Sequence, residues 1–172
     1  MNKVLQRNII RGFFILFIQL VLLKRIDITF GDFNYIHFTI YPLILLLLPF
    51  KTSRTLVIGI AFFLGLTVDL FYDSLGVHAA ACTLIAYLRI YILNVISPVE
   101  GYGKDSLTAY VYGLPWFLTY LGIFLFIHLI TLYSIEAFSF VYIKEILLRT
   151  IFSFIASMFL ISIGQLIFNP KY

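Results

Sequence analysis

The chain reads as a series of long apolar runs separated by short polar breaks. The first run, from Gly12 to Leu23, is interrupted only by Gln19. Others are unbroken, as in Leu43-Ile44-Leu45-Leu46-Leu47-Leu48. Continuous runs argue for helices; the strands of a membrane barrel would alternate outward and inward residues. A bilayer core of about 30 Å takes roughly 20 apolar residues per helix. On that spacing the sequence predicts six spanning helices, at about 8–23, 35–50, 55–71, 75–96, 106–133 and 142–168. Helix two is short, with Pro42 near its start and Pro49 closing it, and a start at Tyr41 would leave it too short to cross without thinning the bilayer. Pro115 predicts a kink in helix five. Gly31-Asp32-Phe33-Asn34 is a turn signal inside the longest polar stretch. Ser53, Asp73 or Ser74, and Asp105 or Ser106 are candidate caps for helices three, four and five.

Composition sharpens this picture. Of 172 residues, 62% are hydrophobic and 12% charged, with mean hydropathy +1.05. A soluble domain is about 45–50% apolar and about 25% charged. So small a body could not hide this much apolar surface from water. The reading is an all-α integral membrane protein, a single six-helix domain over 1–172. Lys3 and Arg7 precede the first run, but no small-x-small cleavage site follows it, so that run reads as a retained helix. With the N-terminus inside, Lys3, Arg7, Arg11, Lys51, Arg54, Arg89, Lys104 and Lys171 fall inside, against Lys24, Arg25, Lys144 and Arg149 outside. That asymmetry predicts N-in, C-in. The net charge of +4 is therefore read as topology, not as nucleic-acid binding. The one cysteine, Cys82, excludes an intrachain disulfide and reads as a packing residue.

Candidate chemistry gathers between Gly65 and Ala81. Ala61, Gly65 and Asp69 share one helix face, so small residues would let a neighbour approach and the aspartate would meet it. An ionisable group at membrane depth is a functional candidate, for partner contact, substrate or ion binding, or catalysis. Asp73 and Ser74 could cap helix four. Gly76 suggests close backbone approach. His78 could join Asp69 and Asp73 in a metal or acid–base cluster, or be a hydrogen-bonded interfacial histidine; His128 reads as the latter. Zinc usually wants more nitrogen or sulfur ligands. Arg89 lies deep enough to need a partner or a path to the surface. Arg149, Ser153, Ala156, Ser157 and Gly164 share an arc of helix six that predicts its protein-facing side, and Glu145 with Arg149 forms an i,i+4 pair. There is no phosphate loop, His-Glu-x-x-His or Gly-x-Ser-x-Gly. Asp69-x-x-x-Asp73 resembles the last carboxylates of lipid-head-group transferases, but the upstream Asp-Gly and Ala-Arg elements of that family are missing.

Gly65-Leu66-x-x-Asp69-Leu70, then Leu75-Gly76-Val77-His78-Ala79, then Ala86-Tyr87-Leu88, resembles the rod shape-determining MreD family. The turn Phe71-Tyr72-Asp73-Ser74 departs from the small residues usual there. The resemblance implies a non-enzymatic scaffold of the bacterial cell-elongation machinery in the inner membrane, with no cofactor or metal. It would bind a bitopic MreC-like partner and help couple MreB to the glycosyltransferase and transpeptidase of peptidoglycan synthesis. It implies a fold similar to the substrate-binding subunits of energy-coupling-factor transporters, and Gly65, Asp69, Asp73, Gly76 and His78 as a docking and structural motif. Two rivals remain: a subunit binding a small, vitamin-like molecule, and a membrane enzyme using Asp69, Asp73 and His78.

Overall fold

A computed structural model of the chain describes residues 3–26, 28–30, 33–103 and 106–168, with side chains over 10–26, 36–103, 106–139 and 141–165. Gly31 and Asp32 of the expected turn, Asp105 of the expected cap and the end 169–172 lie outside the described residues. Helix α1 runs Lys3–Val21 and ends in a 3₁₀ turn at Leu23–Arg25. Strands β1 (Ile28–Phe30) and β2 (Phe33–Ile36) pair antiparallel, with Phe30 opposite Phe33. Then come α2 (Pro42–Leu46), α3 (Arg54–Tyr72), α4 (Val77–Val95), α5 (Ala109–Tyr112), α6 (Leu114–Ala137) and α7 (Ile143–Phe168). Among the described residues, four helices are long and apolar enough to cross a membrane: Arg54–Tyr72, Val77–Val95, Leu114–Ala137 and Ile143–Gln165. This is a helical membrane protein with one short hairpin.

The long apolar runs form helices within about two residues of the expected positions, except that α1 starts five residues earlier, at Lys3, and α6 runs four further, to Ala137. Two expectations are corrected. The helix expected over 106–133 is split at Gly113, and Pro115 sits in the first turn of α6, where no amide donor is needed, so it does not kink a longer helix. The helix expected over 35–50 does not form. Its start belongs to β2, residues 37–40 have no regular secondary structure, and only Pro42–Leu46 is helical. Five residues at about 1.5 Å each cover only about 8 Å. This segment is nevertheless buried: Thr39, Ile40, Tyr41 and Leu45 to Leu48 are all in the core.

A buried non-helical backbone must find partners for its amides and carbonyls. Side chains from the surrounding helices supply them. Gln19 of α1 donates through Nε2 to the Phe38 carbonyl at 3.0 Å and accepts at Oε1 from the Ile40 amide at 2.8 Å. Ser153 and Ser157 of α7 accept from the amides of His37 (3.0 Å) and Thr39 (2.8 Å). At the other end of the segment the guanidinium of Arg89 donates to the Leu48 and Pro49 carbonyls and, at 3.2 Å, to the Tyr120 hydroxyl. Arg89 is thus buried with partners and does not reach for the surface. The small arc of the last helix faces the protein at Ser153 and Ser157, both fully buried. Cys82 is fully buried packing.

Gln19→Leu would orphan the Phe38 carbonyl and the Ile40 amide, and each buried group left unpaired costs about 1–3 kcal/mol. Thermal unfolding in detergent should show a clear loss of stability for Gln19→Leu, a smaller one for Ser157→Ala, and little change for Phe13→Leu, whose ring is 73% exposed.

Candidate functional site

Helices α3 and α4 pack more extensively on each other than any other pair. Gly65 makes this possible. A Cβ there would lie 2.4 Å from the Ala79 Cα and 2.6 Å from the His78 carbonyl oxygen, so any side chain would force the helices apart. Ala61, Gly65 and Asp69 form one buried face, as the spacing predicts.

One turn after Gly65, that face delivers Asp69 to the first turn of α4. The carboxylate is 3% exposed. Its Oδ1 accepts from the His78 amide at 3.0 Å and its Oδ2 from the Ala79 amide at 2.9 Å. A helix N-terminus leaves such amides unsatisfied and favours negative charge. The Ser74 hydroxyl donates to Oδ1 at 2.6 Å. With that hydrogen committed, His78 Nδ1, 3.0 Å from Oδ1 and 2.9 Å from Ser74 Oγ, is assigned as the protonated nitrogen. Its Nε2 is then an acceptor in the neutral ring. Asp69 therefore caps the helix that follows its own, across the turn.

This corrects the assignment of the cap. Asp73 is exposed and does not cap α4; it ends α3 in the left-handed conformation (φ 54°), which aspartate tolerates better than most residues. Ser74 reaches Asp69 instead. Gly76 is corrected too: nothing lies within 4 Å of where its Cβ would be, and its role is the positive φ of 83° that starts α4. The structure brings Asp69 and His78 together and leaves Asp73 apart. Among the described residues no three His, Cys, Asp or Glu side chains gather in a way that could hold a metal. With four donors on it, the Asp69 carboxylate is committed to structure.

Beside this lock lies a cavity of about 590 Å³ that the sequence did not reveal. Tyr72, Asp73, Ser74 and His78 line one side; Gln19 and Lys24, then His37, Phe38, Thr39 and Tyr41, and Tyr133 with Glu136 line the rest. The Lys24 ammonium donates to the Phe71 carbonyl and lies 5.5 Å from the Tyr72 ring centre. Gln19 also donates to the Tyr72 hydroxyl at 2.9 Å, linking the cavity to the buried segment 37–49. The Tyr41 hydroxyl sits 2.7 Å from Nε2 of His128, which is fully buried rather than interfacial. Arg149 pairs with Glu145 at 3.0 Å, as the i,i+4 spacing predicts, and also with Glu136 at 3.2 Å at the cavity rim. The cavity was not legible as a whole because its residues come from four separate stretches; Gln19, Asp73, Ser74 and His78 stood out singly in the sequence, with nothing to bring them to one wall.

Comparison with protein-family models, with curated proteins and with solved structures finds no match to this chain.

Removing the cap should be costly in proportion to the donors lost. Asp69→Leu, which strands two backbone amides and the Ser74 and His78 side chains, should destabilise by roughly 3 kcal/mol or more; Asp69→Asn, which keeps one acceptor, by less; and Ser74→Ala by about 1 kcal/mol. Denaturation of the purified variants in detergent checks this order.

Proposed function

We propose that this chain is a non-enzymatic membrane scaffold of the MreD type, acting in bacterial wall elongation beside an MreC-like single-span partner. The observation that supports it is the use made of the shared motif. Gly65 and Asp69 are the residues by which α3 grips α4, and the carboxylate holds four donors, which suits a structural and docking element more than a reactive group. Six passes are part of the proposal: α1, the interrupted segment 37–49 and the four long apolar helices. An even number puts both ends on one side, and the Lys/Arg asymmetry makes that the inner side of the cytoplasmic membrane. The turn between α3 and α4, the cavity and the β1–β2 hairpin would then face outward, where a bitopic partner carries its large domain. MreB and the wall synthases would be reached through that partner or directly.

A second reading is favoured by the cavity. Its volume of about 590 Å³ lies within the ~300–1,000 Å³ of small-molecule sites. Tyrosine rings, two imidazoles, one ammonium and two carboxylates line it, as in a site that orients a polar organic molecule. In that reading the chain is a vitamin-like-ligand binding subunit of a transporter.

Affinity purification of the full chain from native membranes separates the two. The scaffold reading expects an MreC-like protein and elongation components to co-purify, and expects Asp69→Leu to disrupt rod shape. Purification without any wall-elongation protein, from cells whose shape is indifferent to loss of the chain, would overturn it. Release of one defined small molecule on denaturation, lost in Glu136→Lys, would establish the second reading instead.

A further inference from the structure

Among the described residues, α1 and α7 do not close on each other. They flank an apolar groove of about 500 Å³ whose floor is the buried segment 37–49. Phe14 and Ile18 line it from α1, Ile161 and Gly164 from α7, and Leu43 from α2. Two polar residues also line it. One is Arg11. The other is Gln165, 8% exposed, whose Oε1 is buried with no hydrogen-bond partner among the described residues. Buried polar atoms in native proteins are nearly all satisfied, so an orphan on a groove wall points to an occupant with a polar end.

Size decides between occupants. A helix is about 10–12 Å across and rises about 5.4 Å per turn, so one turn alone takes roughly 500 Å³ and a spanning helix several times that. A methylene is about the size of a water, whose share of liquid volume is ~30 Å³, so the groove holds on the order of fifteen methylene-sized groups. That is one acyl chain. The charge pattern specifies the head. Lys3, Arg7 and Arg11 recur every four residues along the first turns of α1, making that end of the molecule basic. Basic pockets between membrane helices favour anionic lipid head groups.

We propose that this groove is a binding site for one acyl chain of an anionic phospholipid of the surrounding bilayer, with its phosphodiester on Arg11 and the polar head within reach of the Gln165 carboxamide. The site stands whichever reading of the cavity and motif holds. A bound chain would complete the seam between α1 and α7 and cover the floor at Ile40, Leu43 and Leu47.

The test uses the full chain in nanodiscs of phosphatidylglycerol and phosphatidylcholine, re-extracted into mild detergent and weighed by native mass spectrometry. About one phosphatidylglycerol per chain should be retained. Gly164→Phe should abolish retention with an unchanged melting profile, because a Cβ at Gly164 meets nothing within 4 Å and the ring can enter the groove. Arg11→Gln should cut the preference for phosphatidylglycerol over phosphatidylcholine by roughly fivefold, the loss of one surface cation. Absence of retained lipid in the wild type, equal retention of the two lipids, or undiminished retention by a folded Gly164→Phe would overturn the proposal. So would photo-crosslinks from position 164 that run to a second copy or another polypeptide instead of lipid.

Discussion

A stretch of backbone without its own helix runs through the interior of a membrane protein, and its amides and carbonyls must be satisfied there. This constraint organises the molecule. Residues 37–40 have no regular secondary structure and 47–53 are turns and bends, yet much of the segment is buried. In hydrocarbon each unpaired group would cost several kcal/mol. Polar side chains deep in the bundle are accordingly placed against this segment: Gln19 from α1, Ser153 and Ser157 from α7, and Arg89 and Tyr120 from α4 and α6. What would otherwise read as scattered intramembrane polarity is one network with one purpose.

The lock between α3 and α4 follows the same logic. The start of α4 is another set of unpaired amides, and Asp69 supplies both oxygens to it. Because the carboxylate comes from the preceding helix, capping and helix packing become a single event, and Gly65 is the clearance that permits it. His78 is held by the same carboxylate and forms part of the cavity wall, so the cavity's shape is tied to the lock. A change at Asp69 would therefore be felt at the cavity and at the turn between α3 and α4 together.

The long apolar helices were legible because continuous hydrophobicity over twenty residues has few other solutions. The Ala61–Gly65–Asp69 face was legible because its period is that of a helix. Segment 35–50 was not, since an apolar run is compatible with a buried extended strand as well as a helix, and the deciding partners are on α1 and α7, over a hundred residues away in the case of Ser157. The cap on α4 was misassigned for a related reason. Capping rules look to the residues just before a helix, here Asp73 and Ser74, whereas the true acceptor stands eight residues upstream of Val77. Gly76 was read as a packing glycine because sequence alone does not distinguish the need for space from the need for positive φ. The cavity as a whole had no linear signature, although Gln19, Asp73, Ser74 and His78 of its lining stood out singly.

The claim that side chains hold this segment in place is tested most directly by hydrogen–deuterium exchange of the full chain in nanodiscs. Peptides covering 37–41 should exchange slowly although they lie outside any helix, and Ser157→Ala should speed them while leaving 85–95 unchanged. Exchange at 37–41 as fast as in exposed loops, or indifferent to Ser157→Ala, would contradict the account.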